Sequence, residues 1–180
     1  MGEDTRRNIA KLIVTNAGHE PARATQFALK SSIPIARVRT TGFKGIFSLE
    51  AEAEVIELAK LVYRECRQHI GHATAVVEEV ESRFEPIKGA AVRVGREEID
   101  KEESFCFRIH KRGAHYLEQD TLTLEQEIGS AIWIALEEKH GARPRVRLKE
   151  PDIVIVAEVL GPITAVGISR RSWREQISVG

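Results

Sequence analysis

The chain has 180 residues with 27 basic and 27 acidic side chains, so its formal net charge at pH 7 is zero. Hydrophobic residues make up 42% of the chain and charged residues 30%, which excludes a disordered or fibrous protein. The apolar runs are too short to cross a membrane, and residues 1–8 are too charged for a signal peptide. We therefore expect a cytoplasmic protein with no membrane partner, long enough for two compact domains.

The first half of the chain predicts the element order βαββαβ. Pro21 is well placed at a helix start, and Thr41-Gly42-Phe43 is a tight connection of the hairpin type. The spacing of apolar residues predicts strands at residues 11–15, 35–40, 44–49 and 73–80 and helices at residues 21–30 and 52–68. This order over residues 11–81 matches a ferredoxin-like domain, in which two helices pack on one face of an antiparallel sheet.

The second half of the chain predicts a compact α/β domain. A helix is expected at residues 84–99, with a weak point at Gly89. A second helix is expected from Thr123 to just before Gly141, and Thr123 and Gln126 form a capping box at its start. The predicted strands cover residues 104–110, 145–148, 153–160 and 164–169. Residues 153–160 are almost continuously apolar, as in a central strand that is covered on both sides.

Cysteine chemistry is limited to Cys66 and Cys106, which have no CxxC partner. This spacing indicates neither a disulfide framework nor a zinc cluster, so we expect both thiols to be reduced and packed. Alternation in the strand at residues 104–110 places Cys106 on its polar face, which makes it the one candidate nucleophile, although no base for it is evident. We find no GxGxxG, P-loop, GxSxG or HExxH motif and expect neither a cofactor nor a metal.

The string His69-Ile70-Gly71-His72 spells the HIGH signature of class I aminoacyl-tRNA synthetases. That signature opens a helix after a strand and works with a KMSKS loop, whereas this string ends a predicted helix and no KMSKS occurs. The two histidines also lack a third metal ligand. We therefore interpret them as loop histidines.

Basic side chains are segregated along the chain although the net charge is zero. Residues 21–49 and 141–149 contain basic residues and no acid, and the only charged side chains at residues 104–117 are basic. A local basic face can neutralise phosphates while the acids lie elsewhere. Each single Arg or Lys is otherwise an ordinary solvated surface charge.

The second half resembles the THUMP domain over residues 82–171. The resemblance rests on ESFCFRIHKRGAHY, a helix containing EIGSAIW, and RVRLKEPDIVIVAEVLG. The family's signals match an aromatic strand with a basic turn at residues 105–113, the Ile128-Gly129 pair, and Val146, Leu148, Pro151 and Asp152. The first half, with VTNAGHE, TGF and KGI, looks like the ferredoxin-like region that precedes THUMP in many proteins. We expect a ferredoxin-like domain at residues 1–82, a THUMP domain at 83–171 and a basic tail at 172–180.

The resemblance implies a non-catalytic protein that binds the acceptor-stem region of tRNA. We expect no methyltransferase, thiouridylase or pseudouridine synthase domain to follow. A free-standing THUMP protein of this layout is similar to the adaptor family that assists N4-acetylation of cytidine in tRNA. The implied partners are therefore tRNA and a separate RNA acetyltransferase.

The candidate RNA contacts are basic or histidine side chains that suit phosphate oxygens. They are Arg108, His110, Lys111, Arg112, His115, Arg143, Arg145, Arg147 and Lys149, with Arg37 and Arg39 in the first half. The turn at residues 110–115 has fewer basic residues than the family pattern, which predicts modest, pH-sensitive affinity. We expect Gly129 to permit close packing, and Asp152 to cap a turn or hold donors rather than act as an acid.

Two other functions stay open from the sequence alone. One is a small RNA-modifying enzyme whose site is not recognisable, and the other is an ACT-like or ferredoxin-like ligand-binding module. Product formation without a partner would favour the enzyme, and failure to bind RNA would favour the ligand-binding module.

Overall fold

A computed structural model describes residues 8–175 and separates two compact units, Met1–Ala75 and Val76–Gly180. Within the described part the chain forms eight strands and five helices, which confirms the mixed α/β class predicted from the sequence. None of these helices is long and apolar enough to span a bilayer. The predicted tail at residues 172–180 is described only as far as residue 175, and its last part lies outside the described residues.

The first unit has the element order βαββαβ that the sequence predicts. Its elements are β1 (Ile9–Asn16), α1 (Ala22–Ser32), β2 (Arg37–Thr40), β3 (Ile46–Glu52), α2 (Val55–Cys66) and the start of β4 (Ile70–Glu81). The strands are ordered β2-β3-β1-β4, and each pair of neighbours is antiparallel. Leu12 of β1 lies opposite Leu49 on one side and Ala75 on the other, so it occupies the centre of this core.

The His69-Ile70-Gly71-His72 string joins α2 to β4 rather than opening a helix. His69 Nδ1 lies 2.8 Å from the Glu20 carboxylate, and His72 Nδ1 lies 3.1 Å from the Thr15 hydroxyl. Both histidines thus contact neighbouring polar groups of the first unit. Their placement agrees with the rejection of the synthetase signature.

The second unit contains the later residues of β4 and all remaining elements. These are α3 (Phe84–Glu98), β5 (Ser104–His110), α4 (Thr121–His140), β6 (Arg145–Val146), β7 (Ile153–Leu160), β8 (Ile163–Arg170) and α5 (Arg171–Glu175). β7 pairs antiparallel with β8 and parallel with β5, and β5 pairs parallel with β6. β7 is thus an interior strand, which confirms the prediction from its continuous apolar run.

Two details of the helices in the second unit differ from prediction. α3 is continuous through Gly89, so the expected weak point is absent from it. The N-cap of α4 is Asp120, three residues before the predicted Thr123. The Asp120 carboxylate accepts a hydrogen bond of 2.8 Å from the Thr123 backbone N–H, which satisfies a donor that the helix itself leaves unpaired. Gly141 ends α4 with a φ of 62°, as the sequence suggests.

The role expected for Gly129 of α4 was wrong. A Cβ at Gly129 would meet no atom within 4 Å, whereas one at Gly95 of α3 would lie 2.9 Å from the buried Ile132 side chain. Gly95 is therefore the glycine that allows α3 and α4 to pack closely. The Ile-Gly pair of the sequence signature does not mark the point of closest helix approach.

Candidate nucleic-acid interface

The basic stretch at residues 143–149 has two faces. Val146 and Leu148 line an apolar groove beside α4, and neither Arg145 nor Arg147 lines it. Arg145 hydrogen-bonds to the Glu102 carboxylate at 3.1 Å, and the charge of Arg147 contributes to lowering the pKa of Asp152. Only Arg145 and Val146 lie in β6 itself, and the cations of the stretch do not line the groove that its two apolar side chains line.

Hydrogen bonds from outside the stretch hold its backbone in place although β6 itself has only two residues. The Arg147 N–H donates to Phe105 O at 3.0 Å, and the Arg108 guanidinium donates to Leu148 O at 2.9 Å. The Arg171 guanidinium donates to Glu150 O at 3.1 Å. Glu150 has a φ of 48°, the left-handed region, directly before Pro151. Local strand pairing alone would not hold this segment.

Three of the predicted RNA contacts remain available for an anion. Arg143, Arg147 and Lys149 are exposed and form no ion pair with any residue in the described range 8–175. Guanidinium and ammonium groups of this kind suit the phosphate oxygens of a nucleic-acid backbone. They form the strongest candidate interface in the second unit.

Three other predicted contacts are engaged within the second unit by acidic side chains. Arg108 pairs with Glu125 at 3.0 Å, and Arg145 pairs with Glu102. Arg112 lies 2.6 Å from Glu158, a fully buried carboxylate of β7 that also lies 3.2 Å from His110 Nδ1. A guanidinium that compensates a buried carboxylate stabilises the fold and is costly to withdraw.

The remaining candidates of the basic turn also contact the protein itself. Lys111 Nζ donates to Gln119 O at 3.0 Å, and His115 Nδ1 accepts from the Leu117 N–H at 3.2 Å. The turn is therefore held by its own side chains. The predicted grouping of all these residues into one phosphate-facing set stays a prediction, and the geometry favours residues 143–149 within it.

Arg37 and Arg39 lie on β2 in the first unit. Both are exposed and alternate with the half-buried Val38, as the sequence predicts for a strand with one polar face. Arg37 is opposite Glu50 in the strand register, and Arg39 is opposite Ser48. Their contribution to RNA binding stays a prediction.

Asp152 holds donors, as expected, and is positioned by β5 and α5. Its carboxylate accepts hydrogen bonds from the Ser104 N–H at 2.8 Å, the Ser104 hydroxyl at 2.9 Å and Arg171 at 2.8 Å. The two bonds from Ser104 lower the pKa of this carboxyl most, and the charges of Arg171 and Arg147 lower it further. Sequence reasoning missed Arg171 as a partner, since nothing local links positions 152 and 171.

Cys106 does not lie on an exposed polar face, in contrast to the prediction. It is buried and lines the groove beside α4. Burial raises the pKa of its thiol, and the nearby charge of Arg108 opposes that effect only in part. A thiol with a raised pKa is protonated at neutral pH and is a poor nucleophile. Cys66 is also free and buried, as expected.

The second unit is thus a mixed α/β domain with a positioned basic stretch, and residues 81–169 match the THUMP domain family. This match confirms the family resemblance for that part of the chain. The narrower similarity to the tRNA N4-acetylcytidine adaptors stays a prediction. No curated protein matches the chain in sequence.

Several solved structures share the fold at low sequence identity. PH1313 from Pyrococcus horikoshii is 18% identical with a TM-score of 0.63, and the match covers 89% of this chain and 54% of that one. TrmN from Thermus thermophilus is 19% identical with a TM-score of 0.58, covering 90% and 46%. A 4-thiouridine synthetase solved as an RNA complex with bound ATP is 19% identical with a TM-score of 0.58, covering 90% and 42%. The chain therefore spans about half the length of these proteins.

Proposed function

We propose that this protein binds structured RNA, in particular the acceptor-stem region of tRNA, through the basic stretch of its second unit. The observation that carries the proposal is a set of three exposed cations that form no ion pair within the described residues, Arg143, Arg147 and Lys149. Duplex RNA is recognised mainly through its shape, its phosphates and its 2′-hydroxyls, which suits side chains of this type. Because the backbone of residues 145–148 is already held in place, less conformational entropy is lost when the side chains of this stretch bind RNA.

The comparisons support an RNA ligand. Residues 81–169 match the THUMP family, and resemblance to this family implies tRNA binding. One protein of similar fold was solved in complex with RNA. The antiparallel order β2-β3-β1-β4 with two helices supports a ferredoxin-like fold for the first domain. In this proposal the ferredoxin-like domain covers residues 1–82, the THUMP domain covers residues 83–171, and the protein acts in the cytoplasm.

The proposal includes an adaptor role without chemistry of its own, in which the protein presents tRNA to a separate RNA acetyltransferase. Two observations on candidate reactive groups support it. Burial raises the pKa of Cys106, so its thiol is not activated, and the carboxylate of Asp152 is occupied by three donors. The alternative is a small RNA-modifying enzyme, which the named activity of the 4-thiouridine synthetase of similar fold favours.

A gel-shift titration of whole tRNA and of an acceptor-stem minihelix tests the RNA ligand. Both RNAs should bind, and the double substitution of Arg147→Gln and Lys149→Gln should weaken both complexes by about tenfold or more, because each lost phosphate contact removes counterion release. Arg67→Gln is the matched control, since Arg67 is an exposed arginine of the first unit outside the basic stretches. Unchanged binding by the double variant would place the RNA on another surface of the protein.

Incubation of the purified protein with tRNA separates the adaptor from the enzyme. Acetyl-CoA, S-adenosylmethionine or no cofactor is added, and the nucleosides are analysed after digestion. No modified nucleoside should form until an RNA acetyltransferase is supplied. A product formed by the protein alone would overturn the adaptor role while leaving RNA binding intact.

A further inference from the structure

An apolar groove with a volume of about 560 Å³ lies beside α4 and β5 in the second unit. Four of its large apolar side chains, Leu122 and Ile134 of α4 with Val146 and Leu148, are between 50% and 67% exposed. Trp133 also lines it. Contiguous apolar surface of this kind is uncommon on a protein without a partner and marks a binding site.

The groove adjoins an open sheet edge. β7 pairs with β5 over residues 105–110, but β6 pairs with β5 only at Ser104 and Phe105. Phe105 O accepts the Arg147 N–H on the β6 side, so alternation directs the N–H and C=O of Phe107 to the same side. β6 ends at Val146 and does not reach the position beside Phe107, and Phe107 lines the groove. A sheet edge that no strand covers is a template for an added strand.

The charges at the groove neutralise one another. Among the described residues that line it, the charged ones are Arg108 and Glu125, which form an ion pair at 3.0 Å. Glu125 also accepts the Ile109 N–H at 3.2 Å, and Arg108 donates to Leu148 O. The groove thus offers no uncompensated cation to a phosphate, and its charge complement is an uncharged chain segment.

We propose that this groove binds a short, extended and uncharged segment of a partner protein, which adds as a strand to β5 at Phe107. The N–H of one segment residue donates to Phe107 O, its C=O accepts the Phe107 N–H, and the side chains on either side enter the groove. A groove of about 560 Å³ has room for only a few side chains, as a short segment would supply. The inference goes beyond RNA binding, since Arg143, Arg147 and Lys149 do not line the groove.

A random heptapeptide library displayed on phage, panned against the full chain without RNA, provides the probe. The enriched peptides should carry apolar residues at alternate positions and no charge between them, because only alternate side chains of a strand face one side. A synthetic enriched peptide should change the fluorescence of Trp133, which lines the groove, whereas Trp173 is only 2% exposed.

Two substitutions and one control assign the peptide to the groove. Ile134→Asp and Leu148→Asp should each weaken binding of the peptide by about tenfold or more, since each substitution buries a carboxylate in an apolar contact. Phe27→Asp, which replaces an equally exposed apolar residue of α1, should have no effect. Both groove residues are exposed, so thermal unfolding of these variants should match that of the natural chain.

Backbone methylation of the peptide tests the strand geometry. One N-methyl group, placed where the amide would donate to Phe107 O, should abolish binding, and the adjacent amide should tolerate it because it is directed away from β5. The proposal is overturned by a library without enrichment, by enriched peptides with helical spacing, or by binding that survives both groove substitutions. If tRNA competes with the peptide and Ile134→Asp removes that competition, the groove binds RNA instead. If the natural chain self-associates and Ile134→Asp abolishes the self-association, the groove binds a second copy of the chain.

Discussion

Asp152 shows how one residue of the signature holds neighbouring segments of the fold together. Its carboxylate ties the start of β7 to Ser104 of β5 and to Arg171 of α5. These contacts fix the segment that leads out of the basic stretch. Hydrogen bonds to the ionised form, together with the positive charges nearby, lower the pKa of the carboxyl group.

Replacement of this carboxylate should lower stability in a pH-dependent way. Because the folded pKa is lowered, the stabilisation is fully present above the usual Asp value of 3.8 and is lost as the pH falls through the lower folded value. Asp152→Ala should therefore cost about 1 kcal/mol of unfolding free energy at pH 7, a value reduced by partial solvent exposure. Urea unfolding at pH 7 and pH 3 measures the difference, which should shrink at pH 3. Glu118→Ala, at an exposed loop position, is the control, and a pH-independent loss would contradict the role of charge.

The arginines of the predicted interface should separate into two classes. Arg112→Met removes the guanidinium 2.6 Å from the fully buried Glu158, so it should cost about 2–3 kcal/mol of unfolding free energy. Arg147→Met alters an exposed side chain, so it should change the unfolding free energy by less than about 0.5 kcal/mol. The same substitution should weaken tRNA binding. Denaturant unfolding and gel shift on both variants make the comparison. Equal stability of the two variants would contradict a structural role for Arg112.

At the scale of elements, the contact between α3 and α4 depends on one glycine. An added methyl group at Gly95 would meet Ile132, whereas one at Gly129 would meet open space. Gly95→Ala should therefore destabilise the protein by about 1–2 kcal/mol through overpacking. Gly129→Ala should stabilise it by about 0.5–1 kcal/mol, because alanine loses less backbone entropy in a helix. Thermal unfolding of both variants checks the signs, and a stabilising Gly95→Ala would show that the helices have room to separate.

Local patterns predict elements here better than they predict contacts. β5 and β7 have the predicted bounds, because alternation and a continuous apolar run are properties of the segment itself. β6 is shorter than predicted, since its length depends on how far it follows β5. The acidic partners of Arg108 and Arg112 lie 17 and 46 positions away in the chain. These ion pairs could therefore be identified only from the folded structure. The open edge at Phe107 is a property of strand pairing and leaves no mark in the sequence.

At the scale of the whole molecule, the net charge of zero means that a basic surface must come from the segregated basic stretches. Five of the predicted RNA contacts in these stretches are exposed and form no ion pair within residues 8–175, and each unit holds some of them. The second unit contributes Arg143, Arg147 and Lys149, and the first contributes Arg37 and Arg39. A cation that is paired with a carboxylate can contact a phosphate only if the RNA displaces that carboxylate. The number of phosphate contacts therefore shows whether the paired cations take part.

The salt dependence of tRNA binding counts these contacts. Each phosphate contact adds about −0.7 to the slope of log K against log salt concentration, so five contacts give a slope of about −3.5. Replacing the three cations of the second unit by glutamine should reduce its magnitude by about 2, and replacing Arg37 and Arg39 should reduce it by about 1.4. Gel shifts across a salt series measure both changes, with Arg67→Gln as the control. A steeper slope that falls when Arg108 is replaced would mean that RNA opens the Arg108–Glu125 pair, and a slope unaffected by either set would place the RNA on another surface.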